Sequence, residues 1–412
     1  MNEPDVVIVG AGLAGLSCGR ILSQRGKNTL ILDASDGIGG RVRTDRLDGF
    51  LLDRGFQVLL TAYPEAQAQL DYNKLTLGSF TPGALVWNGR DFHRVSDPLR
   101  DPLASVKTVL SPVGTLADKL RTGILRYRVT SGSLETLMER PETWTYSSLR
   151  AQGFSGDMIE SFYRPFLAGV FLETELETSS RFFDFVFRMF SLGDTSLPAQ
   201  GMEAIPRQLV ETLPDGSIRL NTKVDRIEQG RVILSSGEEI RAGSVVVATE
   251  GDEAARLLGW PAARQPKSMT CIYFSSPEPP VRKPILVLNG SGKGLINNVC
   301  VPDQVVAEYA PEGRSLVSVS LVGLPEVEGG IEGAVQKELQ DWFGPLAKHF
   351  QHLKTYRVPY SLPDQSSGML SPVEKSVTVA PGIFVAGDHR GTASIDGALG
   401  SGRRAAEAIL QG

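Results

Sequence analysis

The ten residues Val6-Val7-Ile8-Val9-Gly10-Ala11-Gly12-Leu13-Ala14-Gly15 constrain this chain more than any other stretch of it. A continuous β-branched run is the pattern of a strand buried on both faces. It runs into a G-x-G-x-x-G turn (Gly10, Gly12, Gly15), and a helical pattern follows to about Gln24, closed by Gly26. Thr29-Leu30-Ile31-Leu32 predicts a second buried strand ending in Asp33, 18 residues after Gly15. The whole is a βαβ unit. In such a unit the first glycine permits the tight turn, the second lets backbone approach a pyrophosphate, and the third lets helix and strand pack closely. The helix N-terminus, with Leu13 and Ala14 in its first turn, offers free N–H groups to phosphate. An acid at the end of the second strand, Asp33 followed by Ala34, is placed to bond ribose hydroxyls. An acid there, where an arginine would be needed, disfavours a 2′-phosphate.

The rest of the chain sets limits. Its 412 residues suggest two to three domains. Apolar residues at 41% and charged residues at 22% exclude a disordered or disulfide-stapled chain. A formal charge of −5 is a poor match to a nucleic-acid binder. Cys18, Cys271 and Cys300 are sparse and far apart, so a reducing, cytoplasmic setting is expected and no metal clip. Of the four histidines only His349 and His352 are neighbours, and they predict a surface pair. The N-terminal residues lack the pattern of a signal peptide, and no apolar run is long enough to cross a membrane.

Further along, a glycine-rich turn region spans Asp36 to Gly55, and Ala84 to Trp87 begins a hairpin that leads into a Pro-punctuated loop reaching residue 103. Residues 104–190 predict mainly helix. One segment, with Leu116, Leu120, Ile124 and Leu125, also carries Lys119, Arg121, Arg126 and Arg128; it is expected to be a helix solvated on one side and buried on the other, ahead of peripheral contact with an anionic membrane. Another, Arg181 to Phe190, holds five phenylalanines, expected to be core packing ahead of a cavity wall. Tyr163, Tyr273 and Tyr360 are expected to serve packing, as is Cys18 in the first helix. Residues 217–248 predict a β-meander: Ile218 to Val224, Val232 to Leu234, then Val245 to Ala248. Ile331 to Phe343 is an amphipathic helix. Ile383 to Ala386 is a last buried strand, and Gly402 to Leu410 belongs to a last helix. There is no internal repeat, and no G-x-S-x-G elbow that would make Ser17 a nucleophile.

Two more glycine clusters accompany the first. Gly39-Gly40-Arg41 follows the second strand directly, where an arginine can neutralise phosphate charge. Near the far end, Val385-Ala386-Gly387-Asp388 leads to Ser394-Ile395-Asp396-Gly397-Ala398, which opens the final helix. In their order, with Val245 to Thr249 between them, these motifs resemble the flavin-dependent amine oxidase and phytoene desaturase superfamily, which includes protoporphyrinogen oxidase-like proteins. The resemblance covers both ends and the middle of the chain, and the large substrate region only loosely. It implies an α/β fold: a Rossmann-type FAD-binding domain of glutathione reductase-like, amine oxidase topology, built from 1–60, 200–265 and 365–412. An α+β substrate domain from 61–199 and 266–364 is interleaved with it. It also implies non-covalent FAD, since covalent attachment in this superfamily often uses a cysteine near the C-terminal cofactor stretch and none lies beyond residue 300. Asp33 is then expected at the adenosine ribose, Gly40 and Arg41 along the pyrophosphate, and the Val224 backbone at the adenine edge. Asp388, after Gly387, is expected near the ribityl or pyrophosphate. Gly55-Phe56-Gln57 is expected near flavin N5, and Ile395, Gly397 and Ala398 at the N1/O2 edge, where a helix N-terminus stabilises negative charge.

The reaction is less constrained. The amine oxidase branch carries a lysine near N5, and alignment puts that position at Thr270, with Lys267 on the opposite face of the strand. The branch also carries an aromatic residue where this chain has Ser394. Both departures favour removal of hydride from a large hydrophobic small molecule, a polyene or tetrapyrrole. Amine oxidation and a non-catalytic flavoprotein remain the alternatives. His389 is read as a surface-loop residue ahead of a general base.

Overall fold

The computed structural model describes residues 3–96, 111–262 and 264–412. The end of the expected Pro-punctuated loop and the first residues of the helical region lie outside these. Strand β1 (Val6–Val9) is buried throughout because it is paired on both edges, in parallel, with β2 (Thr29–Leu32) and with Ser244–Val247. Helix α1 (Leu13–Gln24) joins β1 to β2. The full sheet has the order Ile218–Arg219, β2, β1, Ser244–Val247, Ile383–Val385, Thr378–Ala380, of which only the last strand is antiparallel. Every strand of it comes from the start of the chain or from its second half, so the sheet closes only when the chain ends meet its middle.

The strand expected over Ile218 to Val224 is broken in two. Ile218–Arg219 extends the parallel sheet beside β2. Asn221, at φ +52°, then turns the chain, and Val224–Glu228 starts a separate three-stranded antiparallel sheet with Arg231–Leu234 and Glu239–Arg241. Val245 to Ala248 is likewise no part of that meander. Its apolar residues face both sides, which suits the centre of a parallel sheet. One face of the parallel sheet packs Val6 and Ile8 against α1 and the last helix, Ile395–Gln411. The other packs Val7 and Val9 against the three-stranded sheet and helix Gly251–Leu258.

A seven-stranded sheet forms the second half. Its order is Gln351–Leu362, Lys267–Ser276, Ser315–Val322, Asn298–Cys300, Leu286–Asn289, Ala84–Trp87, Phe92–Val95. Strand alternation divides its residues. Ile272, Phe274, Val317 and Val319 pack under helix Ile331–Phe343, while Met269, Cys271 and Tyr273 join the main core. Helices Leu116–Thr130 and Ser180–Leu192 complete this half, with Phe182, Phe183 and Phe185 of the latter buried. No helix among the described residues is long and apolar enough to cross a membrane.

Candidate active site

Chain connections leave β1 and Ser244–Val247 toward opposite faces, so a crevice opens at the C-terminal ends of these neighbouring strands, where open α/β sheets bind ligands. The three glycines there differ. A Cβ on Gly10 would lie 2.5 Å from the Ala248 carbonyl oxygen, and one on Gly15 would lie 1.9 Å from that of Gly10. Gly12 has extended backbone at the N-cap of α1, and a Cβ on it would meet nothing within 4 Å. The first and third glycines are needed by the protein itself. The second leaves open space at the helix end, which is what a diphosphate would fill.

Asp33 supports this loop. One carboxylate oxygen accepts from the Ala11 N–H (2.6 Å), the other from the Ser35 N–H and hydroxyl (2.8 and 2.6 Å). Gly39 donates its N–H to the Ala11 carbonyl (2.8 Å) and a Cβ on Gly40 would sit 3.4 Å from the Gly12 Cα, so the second glycine cluster lies against the first. Thr222 donates to the Asp33 carbonyl, which places Val224, two residues on, near the same strand end. Ala34 is exposed, and Leu13 and Ala14 are buried.

Arg41 joins distant parts of the chain. Its guanidinium pairs with Asp388 (2.8 Å), donates to the Ser361 carbonyl (2.6 Å), and lies over the Tyr360 ring. Gln57 donates to the Arg41 carbonyl (2.8 Å), bringing Gly55-Phe56-Gln57 to the same place. Gly387 donates to the Ser401 hydroxyl (2.9 Å) and so seats Asp388 on the last helix. Ser394 caps that helix by accepting the Gly397 N–H (3.0 Å), with Ile395 and Ala398 in its first turn. Gly397 leaves no room for a side chain: a Cβ would sit 1.9 Å from the Thr392 carbonyl oxygen.

Several residues escaped sequence reasoning. Tyr360 does more than pack, since its hydroxyl also accepts the Gly251 N–H (3.0 Å). Asp396 accepts from the Glu65 N–H (2.8 Å) at the start of helix Pro64–Gln69, and burial pushes its carboxyl up to about 6. Asp53, two residues before Gly55, accepts from Thr44, Tyr309 and the Met202 N–H, and is also pushed up to about 6 by burial. His389 is no surface residue. The Gly387 turn folds its ring inward beside Gly251, neither ring nitrogen has a partner among the described residues, and burial holds its imidazole down to about 4.

Next to the first turn of the last helix is a narrow cavity. Phe171, Thr178, Phe182, Lys267, Leu362, Pro363, Gln365 and Ala393 line it, and the Gln365 side chain accepts from the Ala393 N–H (3.2 Å). The placement of Lys267 overturns the expected alignment. Thr270 points away from the site, its hydroxyl bonded to the Gly323 carbonyl (2.9 Å). The side turned toward Gly55 is that of Lys267 and Met269: the Met269 sulfur is 3.1 Å from where a Gly55 Cβ would be. Lys267 therefore lies on the inward face, as the lysine of an amine oxidase would. Sequence parity related Lys267 to Thr270 correctly but could not say which face was inside. Among the described residues no group of His, Cys, Asp and Glu is placed to hold a metal ion.

Comparisons with known proteins show the family and the fold. The family model described as flavin containing amine oxidoreductase matches residues 13–410. The carotenoid phi-ring synthase of Streptomyces griseus is 33% identical over 146 residues, 31% of this chain and 28% of that protein. The putrescine oxidase of Kocuria rosea is 41% identical over 69 residues, 17% of this chain and 14% of that protein. These matches thus span less than a third of either relative. The structure of a putative protoporphyrinogen oxidase from Exiguobacterium sp. 255-15 has the same fold over 100% of both chains, with a TM-score of 0.76 at 18% identity. The chain belongs to the flavin containing amine oxidoreductase family.

Proposed function

We propose that this protein binds FAD without a covalent link and removes hydride from a large hydrophobic substrate such as a polyene or tetrapyrrole. The flavin supplies the two-electron chemistry, and the chain's part is to bind, orient and exclude water. The open end of α1 at Gly12, the Asp33 carboxylate and the Arg41–Asp388 pair suit a dinucleotide lying from β2 toward the last helix. Free N–H groups in the first turn of that helix, after Ser394, suit an electron-rich ring edge. The three cysteines are buried, and none lies in the last helix or the turn before it. The assignment of 1–60, 200–265 and 365–412 to the cofactor domain rests on the same convergence of segments.

One observation carries the substrate reading: the residues gathered beside that helix, around a gap with no room for a water molecule as the chain stands. Phe171, Phe182, Leu362, Pro363 and Ala393 are apolar, Thr178 and Gln365 are polar but neutral, and Lys267 is the charged group among these residues. An ammonium would meet a like charge and no carboxylate there, and Ser394 offers it no π-face. The position of Lys267 favours amine oxidation as a second reading, since it stands where that branch has its lysine. Anaerobic titration separates the two. Bleaching of the flavin by a carotenoid precursor or a porphyrinogen, and not by putrescine or benzylamine, is expected. Fast bleaching by the amines alone would overturn the proposal.

A further inference from the structure

Helix Leu116–Thr130 has two apolar faces. Leu125 and Val129 are buried against the protein. Leu116, Leu120, Ile124 and Tyr127 are 60, 66, 66 and 74% exposed. At about 100° per residue these four form a stripe roughly 80° wide on the far side of the helix from Leu125. Gly123 borders the stripe, and a Cβ there would meet nothing within 4 Å. Leu192, 55% exposed, extends the apolar surface at the end of the neighbouring helix, where Arg126 donates to the Ser191 carbonyl.

The charged residues of the helix that flank the stripe are basic. The same projection puts Lys119 and Arg126 along one edge, Arg121 and Arg128 along the other. The helix has one acid, Asp118, and it is fully buried, occupied by Thr115 and Ser155. Arg128 reaches inward to a second buried acid, Asp184 (3.0 Å). Lys119 and Arg126 also bond to the Ser111 and Ser191 carbonyls and Arg121 lies 3.7 Å from Asp118, so the helix presents an apolar ridge flanked by partly exposed basic side chains.

We infer that this helix docks the protein on an anionic lipid bilayer, the stripe entering the acyl boundary and the basic edges lying at the headgroups. A second copy of the chain suits the surface poorly. Four side chains on one helix would bury roughly half of the ~800 Å² per partner of a stable interface. Antiparallel self-pairing would also set basic edge against basic edge. The docking helix rests on Ser180–Leu192, whose Phe182 lines the cavity, so a bilayer-held apolar molecule would lie one helix away from it.

The test is flotation of the full chain with phosphatidylglycerol/phosphatidylcholine vesicles and with phosphatidylcholine vesicles. Binding to the anionic vesicles, weakened by high salt, is expected. The double variant Leu120→Gln/Ile124→Gln should lower the partition coefficient about 25-fold. Both positions are exposed, and unchanged flavin absorbance of the variant would show that it is folded. Failure of the unaltered protein to float with anionic vesicles overturns the inference, as does binding indifferent to the double variant. A dimer by light scattering that the double variant dissociates, without vesicle binding, would assign the stripe to a second copy.

Discussion

Substituting alanine at Gly12 and at Gly15 separates the needs of the cofactor from those of the fold. At Gly15 the new Cβ would stand 1.9 Å from the Gly10 carbonyl oxygen and 3.3 Å from the Ala248 Cβ. Helix and turn must part by about 1 Å in a layer with no slack, an overpacking cost of about 1–3 kcal/mol. At Gly12 the backbone is already extended and the space around a Cβ is empty. The entropy that alanine removes from the unfolded chain roughly offsets its poorer N-capping, so stability should stay within about 1 kcal/mol. The same methyl group would stand where a diphosphate must approach, and a similar overpacking cost there weakens FAD about 5- to 150-fold. Urea denaturation of the two apoproteins and fluorescence titration with FAD measure both effects. If Gly12→Ala binds FAD as tightly as the unaltered protein, the diphosphate does not pass over Gly12. Equal destabilisation by the two substitutions would refute the division of roles between them.

Asp33→Ala should weaken FAD by about 1–3 kcal/mol and also lower apoprotein stability, because Ala11 and Ser35 lose an acceptor; titration and denaturation together test this, and unchanged affinity would reassign the residue. Acid precipitation should release all flavin to the supernatant, and flavin in the pellet would disprove non-covalent binding. Lys267→Met should leave a neutral apolar substrate able to bleach the flavin, binding about threefold tighter for the apolar area gained; loss of bleaching by every substrate would show that the lysine acts on the reacting atoms. His389 has a folded value of about 4, below its ordinary 6.5, so the unfolded chain binds more protons between these values. Its contribution is complete above pH 6.5 and is lost as pH falls toward 4, by up to about 3 kcal/mol. Asp53 and Asp396, raised to about 6, act with the opposite sign. The measurement is therefore the difference between unaltered protein and His389→Gln across about pH 4 to 7, and a flat difference would refute it.

The βαβ unit was legible in the sequence because its determinants are local. Val6 to Val9 must be buried on both sides, Gly10 and Gly15 admit no side chain, and Asp33 follows its strand directly. The glycine-opened last helix was legible for the same reason: Gly397 answers to Thr392, close by in the chain. Tertiary structure decided what depends on segments far apart in the chain. The contact of Gly40 with the first loop, the Arg41–Asp388 pair across 347 residues and the Asp396 cap on Pro64–Gln69 have no sequence period. Alternation along Lys267–Ser276 showed two faces, but which one looks inward is set by helix Ile331–Phe343 covering the other. The helix at Leu116 to Thr130 makes the same point. Ile124 and Leu125 are adjacent and nearly alike in hydropathy, and only the packing of Ser180–Leu192 and its neighbours buries Leu125 while Ile124 stays exposed.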